Sequence, residues 1–241
     1  MTIEYRWAHD RYDRLSELAN DLVRRKVSVI VTNAPAVSPA KASTTTIPIV
    51  FFSGLDPVKA GLVASLNRPG GNLTGVNLFS SILSAKRIEL LTGIAPDARR
   101  IALVMNPDNF TARAEQEQGI AGALAEALRL KADSYVTASD PLILDRRGEI
   151  IAFGKAHGLP GIGFVRQFAD GGALLSYGPS ITWMYRQAGL YIGAILKGAK
   201  PAELPVVQPT GFELLVNLKT AAALGLNPRP ALLLSANEVI R

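Results

Sequence analysis

No cysteine occurs in the 241 residues, which excludes a disulfide framework and a thiolate metal site. Two histidines, His9 and His157, are too few for a histidine-rich metal centre. Aromatic residues are scarce, 7% against 48% hydrophobic overall, so the core must be aliphatic. No apolar run is long enough to span a bilayer, and the opening MTIEYRWAHDRYDRL holds no signal-peptide core. The sequence as it stands therefore predicts a cytoplasmic chain. Catalytic signatures are missing too. There is no GxxxxGK[ST] phosphate loop and no GxSxG elbow. Gly70-Gly71 and Gly161-x-Gly163 lack the spacing of a dinucleotide fingerprint. The densest carboxylates, Asp133, Asp140 and Asp145, fit neither a calcium loop nor a glycosidase acid pair. No catalytic residue, metal or cofactor is read from this chain.

Charge is present but dispersed. Lys and Arg number 26 against 20 Asp and Glu, a net charge of +6. Such a balance permits nucleic-acid binding. The basic pairs Arg24-Arg25, Arg99-Arg100 and Arg146-Arg147, however, lie beside acidic neighbours or near helix ends, where cations offset the helix dipole. Solvated helix faces account for them, and no nucleic-acid partner is expected.

The hydrophobic pattern alternates between strand-like and helix-like runs. Residues 47–52, IPIVFF, form a short apolar run suited to a strand buried on both faces. Asp56 then stands at a helix N-cap with Pro57 in the first turn, predicting a helix over 58–66 that Pro69-Gly70-Gly71 ends. Further strands are expected at 2–7, 27–31, 73–76, 100–105, 135–138, 161–164, 173–177 and 213–217. Helices are expected at 11–26, 38–43, 82–91, 111–130, 145–157, 181–196 and 218–224. This alternation predicts an α/β fold built from parallel βαβ units.

Ligands of open α/β sheets bind beyond the carboxyl ends of the strands. The polar residues expected there are Asn33, Ser53, Asp56, Asn77, Asn106 with Asp108, Ser139, Asp140 and Tyr177. Asp accepts from an ammonium, while Asn, Ser and backbone N–H groups hold a carboxylate, so the set suits a small zwitterion. Asp56 and Asp140 each precede a proline, and helix capping alone explains both equally. Phe168 either lines a ligand site or packs in the core.

The segments IPIVFFSGLDPVKAGLVASLNRPGGNLTGV, AKRIELL, RIALVMNPDN, ASDP, GGALLSYGPS, YRQAGLYIGAILKGAKPAELPV and FELLVNLKTAAALGL run in this order. Together they resemble the substrate-binding proteins of ABC transporters, in the branch that includes aromatic amino-acid binders. The resemblance implies a type I periplasmic-binding-protein fold, two Rossmann-like lobes with parallel sheets joined by a multi-strand hinge. It implies a first lobe at 1–77 and 173–200 and a second at 78–172 and 201–241. It also implies an extracytoplasmic protein that closes on a small solute, an amino acid or related carboxylate, and docks on a transporter permease. Two departures stand out. The chain starts at what resembles the family's second strand, without leader, first strand or first helix. One internal strand–helix unit is also missing between Leu130 and Asp133. An incomplete first lobe with unpaired apolar edges would form a strand-exchanged homodimer or aggregate. Two other readings stay open: an enzyme on a flavodoxin-like or Rossmann-like sheet, and a decayed or cytosolic sensor fragment of the binding-protein family.

Overall fold

The computed structural model describes residues 2–9, 11–78, 80–106 and 120–241. Its strands are β1 (Ile30–Asn33), β2 (Ile49–Ser53), β3 (Leu73–Asn77), β4 (Ile101–Val104), β5 (Ser134–Thr137), β6 (Gly161–Gly163), β7 (Leu175–Gly178), β8 (Glu213–Asn217) and β9 (Glu238–Ile240). Its helices are α1 (Leu15–Arg24), α2 (Val37–Ser43), α3 (Ser80–Ile94), α4 (Ile120–Arg129), α5 (Pro141–Asp145), α6 (Arg147–Ala156), α7 (Arg166–Asp170), α8 (Ile181–Leu196), α9 (Leu218–Ala223) and α10 (Pro230–Ser235). The chain divides into two compact units. Unit 1 comprises Met1–Phe79 and Thr182–Pro209, and unit 2 comprises Ser80–Ile181 and Thr210–Arg241.

Unit 1 carries a parallel sheet in the order β1-β2-β3. All five residues of β2 are buried, as its unbroken apolar run requires. Ile30, Ile49, Phe51 and Leu73 pack with Ala19 of α1, Val37 and Ala40 of α2, and Val206. The stretch after α8 returns along β3: Thr74 Oγ1 donates to Leu204 O at 2.7 Å, and Asn77 N to Val207 O at 2.9 Å. Residues 201–209, expected in the second lobe, thus belong to unit 1.

Unit 2 carries a sheet in the order β4-β5-β6-β7-β8-β9. Pairs are parallel except β7 with β8. One face packs on α3 through Leu90, Leu91 and Ile94 against Val136, Ile162 and Leu175. The other holds Tyr135, Ile143, Ile150, Ile151 and Phe168. Strand β7, expected in the first lobe, pairs here with β6 and β8, because Leu175 and Ser176 register with Ile162 and Gly163.

Several local expectations are corrected. Residues 2–7 form no strand: Ile3, Tyr5 and Trp7 are exposed, and Arg6 Nε donates to Asp21 Oδ2 of α1 at 2.8 Å. The strand expected at 27–31 begins at Ile30, because Lys26 N and Val27 N still bond back to Val23 and Leu22. The helix expected at 58–66 is a single turn: Ala60 N bonds Asp56 O, then Gly61 at φ +65° turns the chain out. The helix expected at 145–157 is α6, with α5 as a separate turn before it, and a further short helix, α7, lies between β6 and β7. Of the helix expected at 111–130, residues 111–119 lie outside the described residues and 120–129 are helical. The shortened segment before Asp133 leaves no gap in the sheet of unit 2, since β4 pairs directly with β5 from Ile101↔Ser134 to Val104↔Thr137.

Candidate functional site

In unit 1 the parallel strands end together. Asn33 registers with Phe52, and Ser53 with Asn77, so the polar termini of β1, β2 and β3 share one sheet edge. Asn33 is exposed, whereas Ser53 and Asn77 are buried. Ser53 Oγ accepts from Leu55 N at 3.2 Å and donates to Leu55 O at 3.1 Å, which shapes the turn leaving β2. Asp56, exposed, accepts at Oδ1 from Val58 N at 3.0 Å and Lys59 N at 3.2 Å. It caps the turn begun by Pro57. At this same edge Phe52 meets the ring of Tyr185 edge-on, centroids 5.1 Å apart. Tyr185 is 61% exposed, so it presents an aromatic surface beside the strand ends. From sequence alone its place at the start of an amphipathic helix reads as packing.

In unit 2 the carboxyl ends of β4, β5, β6 and β7 lie along one edge, their pairs being parallel. Asn106 follows β4 and Asp140 follows β5, both buried. Asp140 Oδ1 accepts from Leu142 N at 2.7 Å and Ile143 N at 3.4 Å, capping α5 with Pro141 in its first turn. Asn106 Nδ2 lies 3.4 Å from each Asp140 oxygen and joins the two strand ends. Asp108 lies outside the described residues. Tyr177 in β7 is half-buried, its ring tilted against Phe212 at 5.9 Å. Phe168 is a core residue: it is fully buried, 5.6 Å from the ring of Phe164, and a Cβ on Gly163 would fall 2.1 Å from its ring. The space a ligand would need beside Phe168 is filled by the sheet.

One residue at this edge was not anticipated. Arg87 of α3 is completely buried. It continues the stripe Leu83, Leu90/Leu91 and Ile94, at offsets of four, three or four, and seven. Its Nε donates to Tyr177 O at 2.9 Å and its Nη2 to Ser139 Oγ at 3.3 Å. Nη1 has no partner. Burial lowers the guanidinium pKa to about 10, so the side chain is still cationic at neutral pH. A charged residue in an otherwise apolar helical stripe is the signal the sequence holds for it.

The profile of the ABC transporter substrate binding proteins matches residues 1–131 and 111–240. The chain belongs to this family. The tyrosine-binding protein of Clostridioides difficile (strain R20291) is 25% identical over 243 residues, 92% of this chain and 70% of that protein. A conserved domain protein of Vibrio cholerae superposes with a TM-score of 0.88 at 26% identity, covering 99% of this chain and 87% of its own. An ABC domain from Streptococcus pneumonia, solved in complex with L-Trp, superposes with a TM-score of 0.80 at 22% identity, over 100% and 90% of the two chains, which speaks to fold alone. As a member of this family of substrate-binding proteins, the chain has the α/β fold of the periplasmic binding proteins. No helix among its described residues is long and apolar enough to cross a membrane.

Proposed function

We propose that the chain is the solute-binding component of an ABC importer and takes up a small organic solute between its lobes. The solute is an amino acid with an aromatic side chain, or a related carboxylate. The observation that carries this reading is the family match running through both units. The ligand class is supported by the tyrosine-binding relative. It is further supported by strand ends rich in hydrogen-bonding groups, Asn33, Ser53 and Asn77 in unit 1 and Asn106, Ser139, Asp140 and Tyr177 in unit 2. The exposed ring of Tyr185 suits an aromatic side chain, and Asp56 supplies the carboxylate for an ammonium. The mechanism needs no bond making: solute contacts favour a closed form that the permease partner recognises, on the extracytoplasmic face of a membrane.

A thermal-shift screen of the amino acids and small aromatic carboxylates tests the reading. A solute at one hundred times its dissociation constant adds about 2.7 kcal/mol of apparent stability. Asp56→Asn should then weaken amino-acid binding while leaving the melting temperature nearly unchanged, since Asn caps almost as well as Asp but carries no charge. A folded sample that shifts with no member of the panel sinks the proposal.

A further inference from the structure

We propose that Arg87 is the anion-recognition group of unit 2, and that its unpartnered Nη1 takes the carboxylate of the bound solute. The inference rests on the solute-binding reading above and assigns the solute's anionic end to one residue.

Hydrogen-bond accounting leads to it. Guanidinium offers five N–H donors in a planar fork. In Arg87 the Nε–H is used by Tyr177 O, and Nη2 reaches Ser139 Oγ. Nη1 reaches nothing, although its surroundings exclude water. Among the described residues no Asp or Glu pairs with this cation, and its electrostatic neighbour is Tyr177. A fully buried charge without a counter-ion costs several kcal/mol, and a hydrophobic residue in the same stripe would cost nothing. Leu83, Leu90 and Leu91 show what that stripe otherwise selects. The cation is therefore balanced only when an anion joins it.

Position names the anion. Tyr177 is the last residue of β7 before Gly178, and Ser139 follows β5, so the guanidinium is pinned to two carboxyl strand ends of one sheet. Ligands of such sheets sit there. Ser139 Oγ accepts from Arg87, which leaves its own hydroxyl proton for the same guest. Two donors on a planar fork with a hydroxyl beside it match the two oxygens of a carboxylate. Gly178 packs directly against the Phe164 backbone, where a Cβ would stand 1.8 Å from Phe164 O, and it lies in van der Waals range of Nη2 at 3.8 Å. Nη1 is sealed from solvent in this conformation, so entry of the anion requires movement of the groups around it.

The rival role is purely structural, a tie holding α3 to β5 and β7. Calorimetric titrations of the whole chain separate the two, using L-tyrosine, 3-phenylpropanoate and the carboxyl-free amine tyramine on wild type, Arg87→Met and Arg87→Lys. The expected result is a loss of about 100-fold or more for both carboxylates in Arg87→Met. Arg87→Lys should lose less, and tyramine binding should not change. The apo melting temperature of Arg87→Met should equal or exceed wild type, because an unpaired cation has been removed. Arginine side-chain 15N resonances of wild type, titrated with 3-phenylpropanoate, should show a shift of the Arg87 signal, and this measurement holds even if Arg87→Met fails to fold. Carboxylates that bind Arg87→Met or Arg87→Lys as they bind wild type, or that leave the Arg87 resonance unmoved, overturn the inference while leaving the solute-binding reading intact. A shifted Arg87 resonance in a protein that binds no amino acid upholds the anion site and overturns the amino-acid reading. Neither binding nor shift overturns both.

Discussion

Asp21 is the most heavily paired carboxylate on the described surface of unit 1. Its oxygens accept from Arg6 Nε at 2.8 Å, Arg24 Nη2 at 3.1 Å and Arg25 Nε at 3.1 Å. The hydrogen bond from Arg6, followed by those from Arg25 and Arg24, holds its pKa down at about 2 against an ordinary 3.8. A carboxylate whose pKa is lowered by folding adds stability above its unfolded pKa and loses it as pH falls through the folded one. The gap in melting temperature between wild type and Asp21→Asn should therefore be constant above about pH 5 and shrink between about pH 4 and pH 2. The pair is partly exposed, so salt should narrow the gap at neutral pH. Hydrogen exchange of residues 2–8 gives a second check, because Arg6 ties that segment to α1 through this carboxylate and should free it in the variant.

Among the elements, α5 rests on a single capping side chain. It is five residues long, too short to hold itself together by helix propensity. Asp140 satisfies two of its opening N–H groups and Pro141 presets its first turn. Asp140→Ala should cost about 1–2 kcal/mol by urea denaturation, the upper end of a cap's worth, because the site is buried. Asp140→Asn should recover most of the loss. Equal losses in the two variants would mean that the charge, rather than the cap, matters at this strand end. Proline spacing made this cap legible in advance. The failed helix at 58–66 shows the limit of the same signal: Asp56 and Pro57 start a turn identically, but Gly61 and the packing of Leu62 and Val63 into the unit 1 core end it after one turn.

At the scale of the molecule, three buried clusters form the core among the described residues, and each lies within one unit. Unit 1 has the smaller sheet, and β1 is its edge, with Val31 45% exposed and no further strand beside it among the described residues. Ile3, Tyr5 and Trp7 add exposed apolar area to the same unit. An uncovered edge with an apolar side chain recruits other strands. Wild type should therefore self-associate reversibly as concentration rises in analytical ultracentrifugation, and Val31→Lys should remain monomeric, since an edge lysine blocks pairing. Identical monomers for both at about 100 μM would show that the edge is protected in solution.

Periodicity and turn chemistry by themselves determine where many of this protein's strands, turns and helices begin. The apolar run at 47–52 suits a doubly buried strand, and the Asp-Pro pairs at 56 and 140 open a turn and a short helix, because both effects act over a few neighbouring residues. Tertiary structure decided what those residues touch. Whether 2–7 became a strand depended on a partner 15 residues or more away, and Arg6 found Asp21 instead. Whether 173–178 joined one unit or the other depended on its pairing with Gly163 and Leu215. Phe168 went to the core because Gly163 leaves a hollow for its ring, and Arg87 became a buried cation because α3 turns that face onto the ends of β5 and β7. Each of those outcomes is set by contacts between segments distant in sequence, which local pattern does not encode.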